Sequence, residues 1–184
     1  MYLTFLDHYI QLGNWPTRKA LIDFLSTCGA GSILLGENSE HQVEFFSVEV
    51  KLGPDNTQSF GIGILSEGHG LKPNLFLLPR YSMLIFGYNQ DVIGILIPDG
   101  NIRFSRQLDS LFYEFIPVAH KNIFLVVQEI GICALNFDGT QKWQYIKDVV
   151  TGTNLKEDTV MVNFMDGQTV RLDLATGTEM KGIY

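Results

Sequence analysis

Glu67 and His69 are the residues whose types and spacing come closest to chemistry. Two positions apart, they fall on one face of a strand, where a carboxylate and an imidazole form an acid–base pair or two metal ligands, with His41 or Cys28 joining from elsewhere. An exposed loop is the plainer reading. The four histidines, His8, His41, His69 and His120, are scattered with no HxH, HExxH or HxxxH spacing. Cys28 and Cys133 lie far apart among apolar or small neighbours, which gives neither a CxxC metal site nor a disulfide framework; both are expected as buried, reduced thiols. No Gly-x-Ser-x-Gly elbow is present. The glycines from Phe60 to Gly70 lack dinucleotide-binding spacing and no Gly-Lys-Ser/Thr follows them. Their alternation points instead to another backbone packed closely over Gly61 and Gly63, or to a bulge. Asp99-Gly100, Asp138-Gly139 and Asp166-Gly167 read as tight turns needing positive φ, not as calcium loops. No metal or cofactor is expected.

Charge is more informative than motif. Thirteen Lys and Arg against twenty Asp and Glu give a net charge of −7, the wrong sign for broad phosphate neutralisation, so nucleic acid is not an expected partner. Residues 37–70 carry six acids against Lys51 alone, which places −5 of that −7 in one segment. Glu37, Glu40, Glu44, Glu49 and Asp55 are therefore the candidate contact residues for a basic protein partner, whose encounter rate such a patch would raise. A solvated face that keeps the chain soluble is the competing account. The expected class is a non-catalytic protein-binding module of unknown partner, for which an immunity or inhibitor protein against a basic toxin is one example. The contrary class is a small hydrolase or metal-dependent enzyme with its site near Glu67 and His69.

The elements that must position these residues change character near residue 33. Before it, Leu3, Leu6, Tyr9 and Ile10 recur at helical spacing, flanked by Tyr2 and Phe5 and stopped by Gly13. After a cap at Asn14 or Thr17, Ala20, Leu21, Phe24 and Leu25 repeat the pattern until Gly29-Ala30-Gly31. The spacing predicts a helical hairpin over residues 1–30. Beyond residue 33, Phe46, Val48, Val50 and Leu52 alternate with polar residues, a loop follows at Gly53 to Thr57, and Phe60, Ile62 and Ile64 alternate again. Short apolar runs bounded by Pro, Gly or Asn then continue from Leu75 to Val127. The 184 residues, 46% of them hydrophobic, suffice for one core, and a single domain is expected. Met1 to Ile10 lacks a basic signal-peptide start, and Lys72, Pro73, Pro79, Arg80 and Asp91 interrupt the most apolar stretch, so a cytoplasmic protein without a membrane span is expected.

The second half repeats. Residues 95–104 overlay residues 134–143 with a displacement of 39, both reading strand, Asp-Gly turn, aromatic; Gly177 follows Gly139 by 38. A period near forty is that of propeller blades. ALNFDGTQKW (134–143) and VRLDLATGTE (170–179) resemble the PQQ-like repeats of quinoprotein-type propellers, in which a Leu-Asp strand end, a Thr-Gly or Asp-Gly turn and a docking Trp recur. The resemblance spans roughly residues 83–180. Trp143 holds the Trp position, Phe104 replaces it in the first copy, and the third runs into Met180 and Lys181. The resulting expectation is a mainly β protein of antiparallel meanders with propeller-blade-like repeats and an N-terminal helical hairpin. Two to three such units leave faces to cover, by the helices first and by homodimerisation second.

Overall fold

The computed structural model describes residues 2–5, 8–38, 41–52, 57–97 and 99–180. The structure is mainly β: among the described residues 58% are strand and 8% helical. It forms two compact units, residues 1–89 with 95–103 and residues 90–94 with 104–184.

The predicted helical hairpin is not formed. Its first arm is two strands, β1 (Tyr2–Phe5) and β2 (His8–Trp15), and only its second arm is helical, α1 (Arg18–Leu25). The helical spacing there is a local signal, and tertiary pairing decides against it. A helix of about a dozen residues is marginal by itself. As a strand, residues 9–15 pair in unbroken antiparallel register with residues 45–51, Ile10 opposite Val50 and Leu12 opposite Val48. Gly13, taken as a stop, lies opposite Ser47, where a Cβ would crowd the Ser47 hydroxyl that accepts from Trp15 Nε1 at 2.9 Å.

Three further strands complete this first sheet. They are β3 (Ser32–Leu35), β4 (Glu44–Leu52) and β5 (Gln58–Ser66), and the order is β1-β2-β4-β5-β3 with β3 parallel to β5. The Thr17 hydroxyl caps α1 by accepting from Ala20 N at 3.1 Å. Leu21 and Leu25 then bury against Leu65, and a Cβ at Gly61 or Gly63 would run into Leu25, with Cys28 also over Gly61. The alternating glycines thus seat the side chains of α1, where their spacing in the sequence suggests a close backbone or a bulge; the register through Gly61 and Gly63 is unbroken.

Three meander sheets follow. The second holds β6 (Asn74–Leu78), β7 (Met83–Tyr88), β8 (Asp91–Leu96) and β9 (Ile102–Gln107), in that order. The third holds β10 (Phe112–Val118), β11 (Ile123–Gln128), β12 (Gly131–Asn136) and β13 (Gln141–Ile146). The fourth holds β14 (Val150–Lys156), β15 (Thr159–Phe164) and β16 (Thr169–Asp173). Each first hairpin turns through a left-handed residue, Ser82, Asn122 or Glu157, and the turns after β8, β12 and β16 pass through a glycine of positive φ, Gly100, Gly139 or Gly177.

One contact recurs with these turns. The Phe60 ring lies on Gly100, the Phe104 ring on Gly139 and the Trp143 indole on Gly177, so close that a Cβ at any of the three glycines would overlap the ring. Trp143 Nε1 also donates to Leu174 O at 2.8 Å. The docking aromatic seen in the sequence at Trp143 and Phe104 therefore has a further counterpart, Phe60, in the first sheet. Between the third and fourth sheets lies a core that includes Leu125, Val127, Ile132, Val160, Val162 and Leu172. The opposite face of the fourth sheet is polar: Thr169 Oγ1 bonds Asn163 Oδ1 at 2.8 Å, and Arg171 Nε donates to Thr159 Oγ1 at 3.3 Å.

Candidate functional site

The acidic residues singled out by charge do not share one face. Glu44 and Glu49 are five apart on the unbroken strand β4, an odd separation that sends them to opposite faces. Glu49 points under α1: burial pushes the Cys28 thiol up, a hydrogen bond with Ser59 pulls it back, and the Glu49 carboxylate adds to the rise. Glu44 Oε2 is buried, and Glu37 Oε1 is 3.5 Å from Arg18 Nη2. Glu40 and Asp55 lie outside the described residues.

Glu67 and His69 do meet. His69 Nε2 is 2.8 Å from Glu67 Oε2, with side chains 42% and 31% exposed. Asn89, itself left-handed, holds the loop by accepting from Glu67 N at 3.0 Å and from Ser66 Oγ at 3.2 Å. His41 is exposed and Cys28 is buried against Gly61. Among the described residues no group of three or more His, Cys, Asp or Glu could hold a metal. The aspartates of the turns bond their own loops: Asp138 Oδ1 accepts from Thr140 N and Oγ1, and Asp173 Oδ1 from Ala175 N, Thr176 N and Thr176 Oγ1. Those bonds hold the Asp173 carboxyl below its ordinary range, the Thr176 hydroxyl contributing most.

A groove of about 300 Å³ opens between the first strands of the third and fourth sheets. Tyr113 and Glu114 of β10 form one wall, Thr151 and Thr153 of β14 the other, and the core residues Val127 and Val150 the floor. Both walls are shaped by β-bulges, one between Phe112 and Glu114 and one between Val150 and Gly152. A bulge re-aims the extra side chain and bends the strand. The extra residues are Tyr113 and Thr151, thirty-eight positions apart, so the same irregularity recurs in the first strands of the third and fourth sheets, on both sides of one groove. Thr153 Oγ1 bonds Glu114 Oε1 across it at 3.1 Å. Burial raises the Tyr113 phenol, and the nearby Glu129 carboxylate raises it further, so at neutral pH it is a hydrogen-bond donor. None of these residues stands out in the sequence. Extending the repeat overlay upstream from Ile123 and Val160, a displacement of 37, sets Tyr113 on Val150, one residue short of its structural counterpart Thr151, and alignment alone does not reveal a bulge.

No helix among the described residues is long and apolar enough to cross a membrane. No protein-family model matches the sequence, and no curated protein matches it. Among solved structures the chain is similar to Sqt1 of Saccharomyces cerevisiae, with 15% identity over 79% of this chain and 45% of that one, at a TM-score of 0.53. It is similar to the computationally designed Ika8 protein, with 13% identity over 98% of this chain and 59% of that one, at 0.52. BamB of Moraxella catarrhalis shares 18% identity over 73% of this chain and 42% of that one, at 0.47. The chain spans about half the length of these three structures. At such identities the likeness to Sqt1 and Ika8 concerns fold alone, and the fold it supports is propeller-like.

Proposed function

We propose that this chain is a non-catalytic protein-binding module, built from blades of the PQQ-like kind, that holds its partner in the groove between β10 and β14. The observation that carries the reading is the pair of matched bulges, which turn Tyr113 and Thr151 toward one open groove at equivalent places in successive repeats. The docking of Trp143 on Gly177 supports the blade assignment. The groove's groups are suited to holding: two hydroxyl-bearing threonines, a phenol kept protonated and a carboxylate already oriented by a hydrogen bond. The acidic surplus of the chain favours a basic partner, and an inhibitor of a basic protein is one such module. Two buried free thiols suit a reducing compartment such as the cytoplasm.

Site-specific photocrosslinking tests the reading. A photoreactive residue at position 113 should capture one protein from host extract, while the same residue at position 163, on the polar face of the fourth sheet, should capture none. Equal capture at both sites, or recovery of only a small molecule from position 113, would refute it. The 2.8 Å contact between Glu67 and His69 supports a second, hydrolytic reading. That reading requires a hydrolytic turnover that His69→Ala abolishes while crosslinking at position 113 is unchanged.

A further inference from the structure

Resting on that reading, we infer that the groove between β10 and β14 is a receptor for an arginine side chain of the protein partner. The occupant follows from the arrangement of the walls. Glu114 is solvent-exposed on its wall, and its Oε1 accepts from the Thr153 hydroxyl at 3.1 Å, which leaves the carboxylate with further acceptor capacity for an incoming donor. A positioned carboxylate accepts a guanidinium with charge-assisted hydrogen bonds, the strong class of such bonds. Tyr113 is half-buried beside it and also lines the groove, and a planar guanidinium stacks on an aromatic face better than a compact ammonium does. The Val127 and Val150 floor suits the aliphatic stem of a long basic side chain, and Thr151 offers a further hydroxyl at the opposite wall. Glu129 supplies a second negative charge near Tyr113, since its carboxylate acts on the phenol. An acidic side chain would meet two like charges here, and a purely apolar one would desolvate the Glu114 carboxylate with only the Thr153 hydroxyl to compensate it.

The probe is N-acetyl-arginine amide, titrated into the intact chain and followed by backbone amide NMR. Saturable shifts are expected at Tyr113, Glu114, Gly152 and Thr153, with N-acetyl-citrulline amide, uncharged and nearly isosteric, causing none. Glu114→Gln should weaken the arginine probe about tenfold, and Tyr113→Leu by a similar factor, each losing one of the two recognising groups. Glu114 is exposed, so its substitution leaves the fold intact, and unchanged amide shifts elsewhere confirm this in the same spectra. Glu157→Gln, at an exposed acid outside the groove, should leave binding unchanged. Shifts spread over surface carboxylates, equal response to citrulline, or indifference to Glu114→Gln would overturn the inference. If the probe fails while position 113 still crosslinks a protein, the groove stands as a contact site and arginine selection falls; if both fail, the site itself falls.

Discussion

Gly139 and Gly167 share a left-handed backbone, with φ of +86 and +81, but only Gly139 carries an aromatic ring over its missing Cβ. Alanine at either position brings left-handed strain of about 1–2 kcal/mol. At Gly139 it must also displace the Phe104 ring, an overpacking cost of about 1–3 kcal/mol more. Urea denaturation should therefore show Gly139→Ala losing clearly more stability than Gly167→Ala, and equal losses would mean that the ring does not dock there. Cys133 makes a pH-dependent contribution. Burial, with Arg106 pulling down and Asp109 pushing up, takes its thiol from an ordinary 9.0 to about 12. In the unfolded chain the proton leaves near the ordinary value, while the folded chain keeps it to the higher one. The stabilisation is thus complete below pH 9 and drains between pH 9 and about 12, by up to about 4 kcal/mol at roughly 1.4 kcal/mol for each pH unit. Urea midpoints at pH 8 and pH 10.5 should fall less steeply for Cys133→Ala than for the native chain.

At the scale of elements, the helix α1 is held by its cap and by two leucines. Leu21→Ala, at a fully buried position over Gly63, should cost about 2–5 kcal/mol, whereas Thr17→Ala should cost about 1 kcal/mol. Thermal unfolding of the two variants gives the ratio, and a larger loss at Thr17 would show that the cap outweighs packing. The same region marks where the sequence misleads. Local spacing at Leu3, Leu6, Tyr9 and Ile10 is helical, but the deciding partners, Val48 and Val50, lie about forty residues away, beyond any local window. Many of the strands after residue 44 were readable because Pro, Gly or Asn bound their apolar runs, and β4, β5, β7 and β11 fall where the alternation and runs place them, whereas β14 carries no such run. The groove was not readable, because Tyr113 and Thr151 acquire their direction from a slip in register, which no single strand encodes. The charge count was sound as arithmetic yet silent on direction, and direction divides Glu44 from Glu49.

For the whole molecule, two features bear on self-association. One face of the first sheet is covered by α1, and the outward face of the fourth carries Asn163, Thr169 and Arg171, already hydrogen-bonded to one another or to neighbours. A net charge of −7 adds mutual repulsion between copies. Sedimentation at neutral pH should give one species of 20.7 kDa at all concentrations; a concentration-dependent dimer would show that the polar face or a strand edge pairs after all. That polar face also constrains how such a chain can grow. The third sheet is apolar on both sides, every residue of β11 being buried, and its docking aromatic repeats that of its neighbour. A gene duplication of one repeat beside it would meet matching surfaces at once. A copy added against the fourth sheet would need Asn163, Thr169 and Arg171 replaced before it could stack. New repeats are therefore far more easily acquired by insertion within the series than by addition at that face.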